Sequence, residues 1–309
     1  MAQTSILGTN RTLKRGNPAA RSEALWGYLM IAPNTIGLII LHAIPVVLTV
    51  YYSFTEWGAF GDSAWAGLAN YRRLIADTEF WGAVRNTVVY TLVVVPVSIS
   101  LSIIVATLLN QKIRGVGIYR MLYFLPVITL PVAIAMTWKW LFNADYGLIN
   151  YLLSLIGIHG PRWISDPKVA LISVIMVGVW ARIGYDMVVL LSGLKGISST
   201  YYEAASIDGA GPMTQFFRIT LPLLTPTIFF LSIMGLIGAF QVFELIFIMI
   251  GRDSLSIQST ESVSYLFYQK AFLHNEKGYG AAIVLFLFLV TLLLTMVQMK
   301  LQRRWVHYE

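Results

Sequence analysis

Six apolar runs constrain this chain more than any other feature: roughly residues 25–54, 84–110, 118–142, 168–194, 219–250 and 279–300. As a helix, each is long enough to cross the about 30 Å of hydrocarbon in a bilayer. In lipid the backbone must satisfy its own hydrogen bonds, and a continuous apolar run does that as a helix. Composition agrees. Of 309 residues, 57% are hydrophobic and 12% charged, where soluble domains have about half and about a quarter. The polar stretches between runs are too short for a soluble domain, and there is no internal repeat or low-complexity tract. The sequence therefore predicts an all-α membrane protein with six transmembrane helices, a polar tail over residues 1–24 and one six-span domain over 25–309.

Prolines fall within several runs: Pro33 and Pro45, Pro96, Pro126 and Pro131, Pro222 and Pro226. A kinked span needs neighbouring helices or water for the carbonyls it frees. A bundle around a pathway supplies both; a lone anchor does not. The first run is too long for a signal-peptide core and reads as an uncleaved span.

Basic residues orient the spans. With the tail inside, the inside segments hold twelve: Arg11, Lys14, Arg15, Arg21, Lys112, Arg114, Arg120, Lys195, Arg218, Lys300, Arg303 and Arg304. Four acids accompany them, Glu23, Glu203, Asp208 and Glu309. Nine acids fall outside: Glu56, Asp62, Asp77, Glu79, Asp145, Asp166, Asp253, Glu261 and Glu276. The positive-inside rule puts both termini, and a loop at about 198–218, in the cytoplasm. The net charge of +7 comes from these flanks and not from a nucleic-acid patch. Phe60, Trp65, Tyr71, Phe80 and Trp81 suit the outer interface. The chain has no cysteine, so it holds neither a disulfide nor a thiolate metal site.

Between the fourth and fifth runs lies Glu203–Pro222, a polar island. Tyr201–Asp208 has helical propensity through Ala204 and Ala205. Asp208-Gly209-Ala210-Gly211-Pro212 is turn chemistry. Pro212 suits the first turn of a second short helix reaching Phe217. Apolar Ile207, Met213, Phe216 and Phe217 alternate with charged Glu203, Asp208 and Arg218. Such a bent pair either docks on another protein or lies on lipid.

The spacing carries a resemblance. Glu203-Ala204-Ala205, two residues, Asp208-Gly209, nine residues, Ile219, one residue, Leu221-Pro222 resembles the EAA loop of binding-protein-dependent ABC importer permeases of the carbohydrate-uptake type. Asn143 to Asn150 (Asn-Ala-Asp-Tyr-Gly-Leu-Ile-Asn) and Gly278 to Ala282 (Gly-Tyr-Gly-Ala-Ala) are similar to segments that follow the third span and open the last span of sugar-type members. One departure is Ile250-Gly251-Arg252-Asp253-Ser254, where the family often has Thr-x-Gly-Gly-Pro. The resemblance implies a coupling helix made of Glu203, Ala204, Ala205, Asp208, Gly209, Ala210, Gly211, Pro212 and Phe216, inserted into a cleft of a cytoplasmic ATPase. It also implies a second homologous permease, two ATPase subunits that carry the ATP and Mg, an extracytoplasmic solute-binding protein, and residence in the bacterial inner membrane.

No cofactor, metal or catalytic residue is expected in the chain itself. His42, His159, His274 and His307 are dispersed, and there is no His-Glu-x-x-His, Walker A or Gly-x-Ser-x-Gly sequence. Polar residues at membrane depth are the functional candidates. The fourth run has Arg182, Tyr185 and Asp186; the fifth has Gln241 and Glu244, three apart and so on one face of a continuous helix. Trp180, Phe240 and Phe243 offer walls for a sugar. Arg182 and Asp186 are four apart and are also placed to neutralise each other. The resemblance puts the substrate pathway on the two spans flanking the loop, at Arg182, Tyr185, Phe240, Gln241 and Glu244. The cargo read from this is a carbohydrate, an oligosaccharide. An acidic sugar or glycerol phosphate would suit Arg182. An ion-coupled transporter, or an anchor without a pathway, lacks support in the sequence.

Overall fold

Four of the six apolar runs form unbroken helices long and apolar enough to span a bilayer. The computed structural model describes residues 18–57, 63–111, 113–252 and 254–305. Arg11, Lys14, Arg15, Phe60, Asp62, Lys112, Asp253, His307 and Glu309, which entered the readings above, lie outside those residues.

The first unit, up to Tyr51, is one long rod. Helix α1 (Pro18–Leu38) passes through a π turn (Ile39–Ala43) into α2 (Ile44–Ser53). Helical structure is present from the first described residue, Pro18, and the stretch of it apolar enough to span a bilayer is Ser22–Ser53, near the expected 25–54. Its apolar side chains, such as Tyr28, Met30 and Leu41, stand exposed. Hydroxyls along it are satisfied within the helix: Thr35 donates to the Ile31 carbonyl and Thr49 to that of Pro45.

The second unit starts at Tyr52. A short antiparallel hairpin, β1 (Thr55–Trp57) and β2 (Ser63–Trp65), leads to α3 (Ala69–Ala76). Helix α4 (Thr78–Leu109) starts six residues ahead of the expected position, because Asp77 caps it. The Asp77 carboxylate accepts from the Glu79 amide at 2.9 Å and from that of Phe80 at 3.4 Å, and a cap of this kind contributes about 1 kcal/mol.

The third run is not one straight helix. Helix α5 (Val116–Ile128) and α6 (Pro131–Leu141) meet at 100°. Pro131 disfavours helical geometry at Leu130, and both Thr129 and Leu130 have ψ above 130°. Helix α7 (Leu148–Leu155) leads to the unbroken α8 (Ala170–Gly196). The fifth run is also broken. After α9 (Ser199–Ile207), α10 (Pro212–Gln215) continues through a π turn (Phe216–Thr220) into α11 (Leu221–Leu223), then bends by 61° into α12 (Thr225–Phe240). Pro226 lacks the amide that the Pro222 carbonyl needs, and its ring crowds that carbonyl. Helix α12 stops at Phe240, a π turn follows at Ile246–Ile250, and α13 (Ile257–Thr260) and α14 (Val263–Tyr268) precede α15 (Lys277–Trp305).

Helices α4 and α8 form the central pair, with α12 against both. Tyr90, Val94, Ile99, Met187, Leu190 and Leu231 are buried there. Gly184 lets α8 cross α5 closely, because a Cβ there would run into the Tyr123 carbonyl. Small residues at crossings suit lipid, where packing and not the hydrophobic effect joins helices. A second core, around Phe80, Leu266, Tyr279 and Ile283, joins α3, α4, α14 and α15.

The segment 257–264 is stitched in by side chains. Asn86 of α4 donates to the carbonyls of Gln258 and Glu261, both at 3.1 Å. Thr87 accepts from the Val263 amide at 3.0 Å. Ser262 donates to the Val242 carbonyl at 2.6 Å and Ser264 to that of Phe240 at 3.4 Å, satisfying carbonyls at the end of α12.

Charges gather at this same end of the bundle. Lys270 pairs with Glu79 at 2.6 Å, Arg73 pairs with Glu276 at 2.9 Å, and the Tyr279 hydroxyl donates to Asp77. Among them Glu261 is only 3% exposed. Burial, with Glu79 adding to it and Lys270 opposing, pushes its carboxyl from 4.5 up to about 8. Over that interval the folded chain holds a proton that the unfolded chain releases, so this group's stabilising effect is lost as pH rises to about 8. The Glu261→Gln variant should show a shallower fall of melting temperature between pH 5 and 8. An unchanged slope would remove Glu261 as its source.

Candidate functional site

The island between α8 and α12 is a helical hairpin with a fixed turn. Ser198 caps α9, its hydroxyl accepting from the Thr200 amide at 3.3 Å. Glu203, Ala204 and Ala205 lie in the second half of α9, and Asp208 ends it. Gly209 then takes φ +79°, a left-handed conformation that costs other residues about 1–2 kcal/mol. The Gly209 amide donates to Ser206 at 3.1 Å and the Ala210 amide to Ala205 at 2.8 Å. This pair of bonds is the Schellman closure of a helix, with glycine at the left-handed position. Gly211 is extended and Pro212 opens α10, as Pro at a first turn should.

Side chains lock the two arms. Gln215 donates to the Ala210 carbonyl at 3.0 Å and to the Ser206 hydroxyl at 2.9 Å. Tyr202 and Thr220 share a hydrogen bond of 3.0 Å. The expected end of the second helix at Phe217 is exceeded: the π turn carries it on to Leu223. Phe216 is half-buried and stacks edge-on against Phe217 at 5.0 Å. Ile207 is 87% exposed, and Met213 and Phe217 project beside exposed Glu203 and Asp208. A held turn with apolar side chains pointing outward suits docking on another protein.

The five expected pathway residues sit in different surroundings, two of them in packed positions and three exposed. The Arg182 Nε donates to Asp186 at 2.9 Å, and Nη2 donates to the Leu231 carbonyl of α12 at 3.1 Å. The guanidinium also lies against Gly235. Asp186 is fully buried. Phe240 is buried in the core beside α15. Tyr185 is exposed on α8. Gln241 and Glu244 are both exposed but do not share a helix face, because α12 ends at Phe240 and Gln241 is its cap. Gln241 lines a groove of about 690 Å³ between α12, α14 and α15, beside Ser264, Tyr268 and Thr291. Sequence reasoning missed that groove and the Lys270–Glu79 pair. Asp77-Thr78-Glu79 was a readable helix start, but nothing local pairs Glu79 with a lysine 191 positions away.

Residues 98–307 match the family model described as "Binding-protein-dependent transport system inner membrane component". The probable ABC transporter permease protein YesP of Bacillus subtilis is 35% identical over 307 residues, covering 98% of this chain and 99% of that protein. The trehalose/maltose transport system permease protein MalF of Thermococcus litoralis is 33% identical, covering 91% of this chain and 95% of the relative. Among solved structures, a chain of a bacterial alginate ABC transporter in complex with an alginate pentasaccharide-bound periplasmic protein superposes with a TM-score of 0.83 at 21% identity, covering 93% of this chain and 96% of that one. This last likeness shows the fold. A match to the family model over two thirds of the sequence, and relatives aligned along nearly all of it, place the chain in the family of binding-protein-dependent transport system inner membrane components, the multi-pass permeases of ABC transporters.

Proposed function

We propose that this chain is one permease subunit of an ATP-driven importer that carries a carbohydrate, an oligosaccharide in our reading, across the bacterial inner membrane. The observation that carries this reading is the locked hairpin of α9 and α10, complete in its spacing, with Ile207, Met213 and Phe217 exposed beside Glu203 and Asp208. In this reading each bent helix pair counts as one crossing, giving six spans. The basic residues then put both termini and the hairpin in the cytoplasm. There the hairpin meets one of two ATPase subunits, which hold the ATP and Mg. A second permease completes the pathway, and an extracytoplasmic binding protein delivers the cargo. The naming of one relative for trehalose and maltose supports the carbohydrate class.

Nucleotide closes the ATPase pair, the hairpin moves with it, and the spans switch between two arrangements, as a ligand-biased two-state gate requires. Exposed Tyr185, Gln241 and Glu244 are the proposed cargo contacts. Arg182 and Phe240 hold α12 and its end behind them. Losing one such contact costs about 0.5–1.5 kcal/mol for a neutral hydrogen bond.

One experiment tests orientation and role together. Cells expressing the complete importer carry a single cysteine at Ser198 or Ser63, and labelling by an impermeant thiol reagent is measured alongside uptake of a labelled oligosaccharide. Ser198→Cys should stay unlabelled and Ser63→Cys should label, with ATP-dependent uptake in both. Reversed labelling overturns the orientation. Correct labelling without uptake of any oligosaccharide tried overturns the cargo class.

A further inference from the structure

Helix α7 carries a stripe left exposed among the described residues. Leu148, Tyr151, Leu152 and Leu155 follow helical spacing and share one side, and Ile156 caps the helix. All five are exposed, Leu155 at 65% and Ile156 at 71%. Looseness does not account for this, because the opposite side is pinned. Ile149 packs against the core of Phe142 and Val177. The Asn150 side chain donates to the carbonyls of Ala144 at 3.1 Å and Pro161 at 3.2 Å, and accepts from the Trp163 indole at 2.7 Å. The stripe is held facing outward.

Two observations decide what it faces. From Tyr146 to Pro161 there is no Asp, Glu, Lys or Arg, so the helix itself offers a protein partner no charged side chain; Asp145 stands in the adjoining groove, outside the stripe. The stripe also continues onto α6. A groove of about 480 Å³, lined by Trp140, Tyr146, Leu148 and Tyr151, joins it to that helix. Val132, Met136 and Trp140, one turn apart on α6, are exposed as well. Helices α5 and α6 together are apolar enough to enter a bilayer. An uncharged apolar face flanked by Trp and Tyr, at the end of a membrane-entering helix, has the chemistry of the boundary between headgroups and acyl chains.

We propose that α7 lies in that boundary and anchors the arm between α6 and α8 to lipid. The stripe faces the acyl chains, while Ser154, on the polar side of the helix, faces water. The inference requires only that the chain sits in a bilayer. It does not depend on cargo or on the ATPase, so its failure is separate from failure of the function proposed above.

The absence of native cysteine makes the test direct. Single variants Leu152→Cys, Leu155→Cys and Ser154→Cys are labelled with a nitroxide in the complete importer, in nanodiscs of phosphatidylethanolamine and phosphatidylglycerol. Collision rates with oxygen, which concentrates in lipid, and with a water-soluble nickel chelate are compared. The ratio of oxygen to nickel collisions should be several-fold higher at Leu152 and Leu155 than at Ser154. Free nickel access at the stripe overturns the proposal. Immobile labels at Leu152 and Leu155, shielded from both reagents, also overturn it and give the stripe to a protein neighbour. All three side chains are exposed, so the substitutions disturb no packing.

Discussion

Gly209→Pro should abolish coupled transport while leaving the spans in place. Proline fixes φ near −65°, whereas this position sits at +79°. It also removes the amide that donates to Ser206. Both losses fall on the turn that sets the angle between α9 and α10. A strain of about 3 kcal/mol displaces the docked arrangement about a hundredfold. A Cβ at Gly209 would meet open space, so Gly209→Ala separates conformation from crowding: it should cost about 1–2 kcal/mol and give an intermediate defect. The measurement is uptake per ATP hydrolysed in proteoliposomes holding the whole complex, with subunit stoichiometry as the check on assembly. Normal uptake by the proline variant would show that the hairpin does not transmit the stroke.

The second large effect is expected at the centre of the bundle. Arg182→Met strands the Asp186 carboxylate, fully buried, and removes the side-chain bond from α8 to the Leu231 carbonyl of α12. Removing one partner of a buried pair costs roughly 3–5 kcal/mol, enough to lower the yield of assembled protein and its melting temperature sharply. Replacing both, Arg182→Met with Asp186→Leu, removes the stranded charge and should restore assembly close to wild type. Transport by that double variant then separates two roles. If uptake returns, Arg182 serves α8–α12 packing. If assembly returns without uptake, the guanidinium also acts on the cargo. A single variant as stable as wild type would contradict the structural role.

Much of this was legible in the sequence, for identifiable reasons. Long apolar runs mark membrane helices because no other structure satisfies their backbone in lipid. The turn at Asp208–Pro212 was readable because glycine and proline fix backbone angles locally. The spacing of Arg182 and Asp186 announced a possible ion pair for the same local reason. Breaks inside runs were harder. Pro131 and Pro226 were visible, but whether a proline kinks a span gently or turns it by 100° depends on its neighbours, here the extended Thr129 and Leu130. The end of α12 at Phe240 had no local signal. It is stabilised by Ser262 and Ser264 from 20 and 24 positions away, and a shared face for Gln241 and Glu244 presupposed a helix that does not continue. The grouping of Glu79, Lys270 and Glu261 is likewise a product of tertiary packing.

The stitching at the far end of α12 has a mechanical consequence. With the carbonyls of Phe240 and Val242 tied to Ser264 and Ser262, and that segment tied to α4 through Asn86 and Thr87, this end behaves as a braced joint. At the other end the 61° corner at Leu224 keeps its bend through the Thr225 hydroxyl, which donates to the Pro222 carbonyl at 2.7 Å, and that bend is the pivot about which α12 would turn. Between them α12 has 16 residues, a rod about 24 Å long at about 1.5 Å per residue. A rotation of about 10° at the pivot would carry the other end through about 4 Å, roughly three quarters of the about 5.4 Å rise of one helical turn. A lever of that length turns a small tilt of the hairpin into a displacement the size of a side chain, and the brace passes it on to α4.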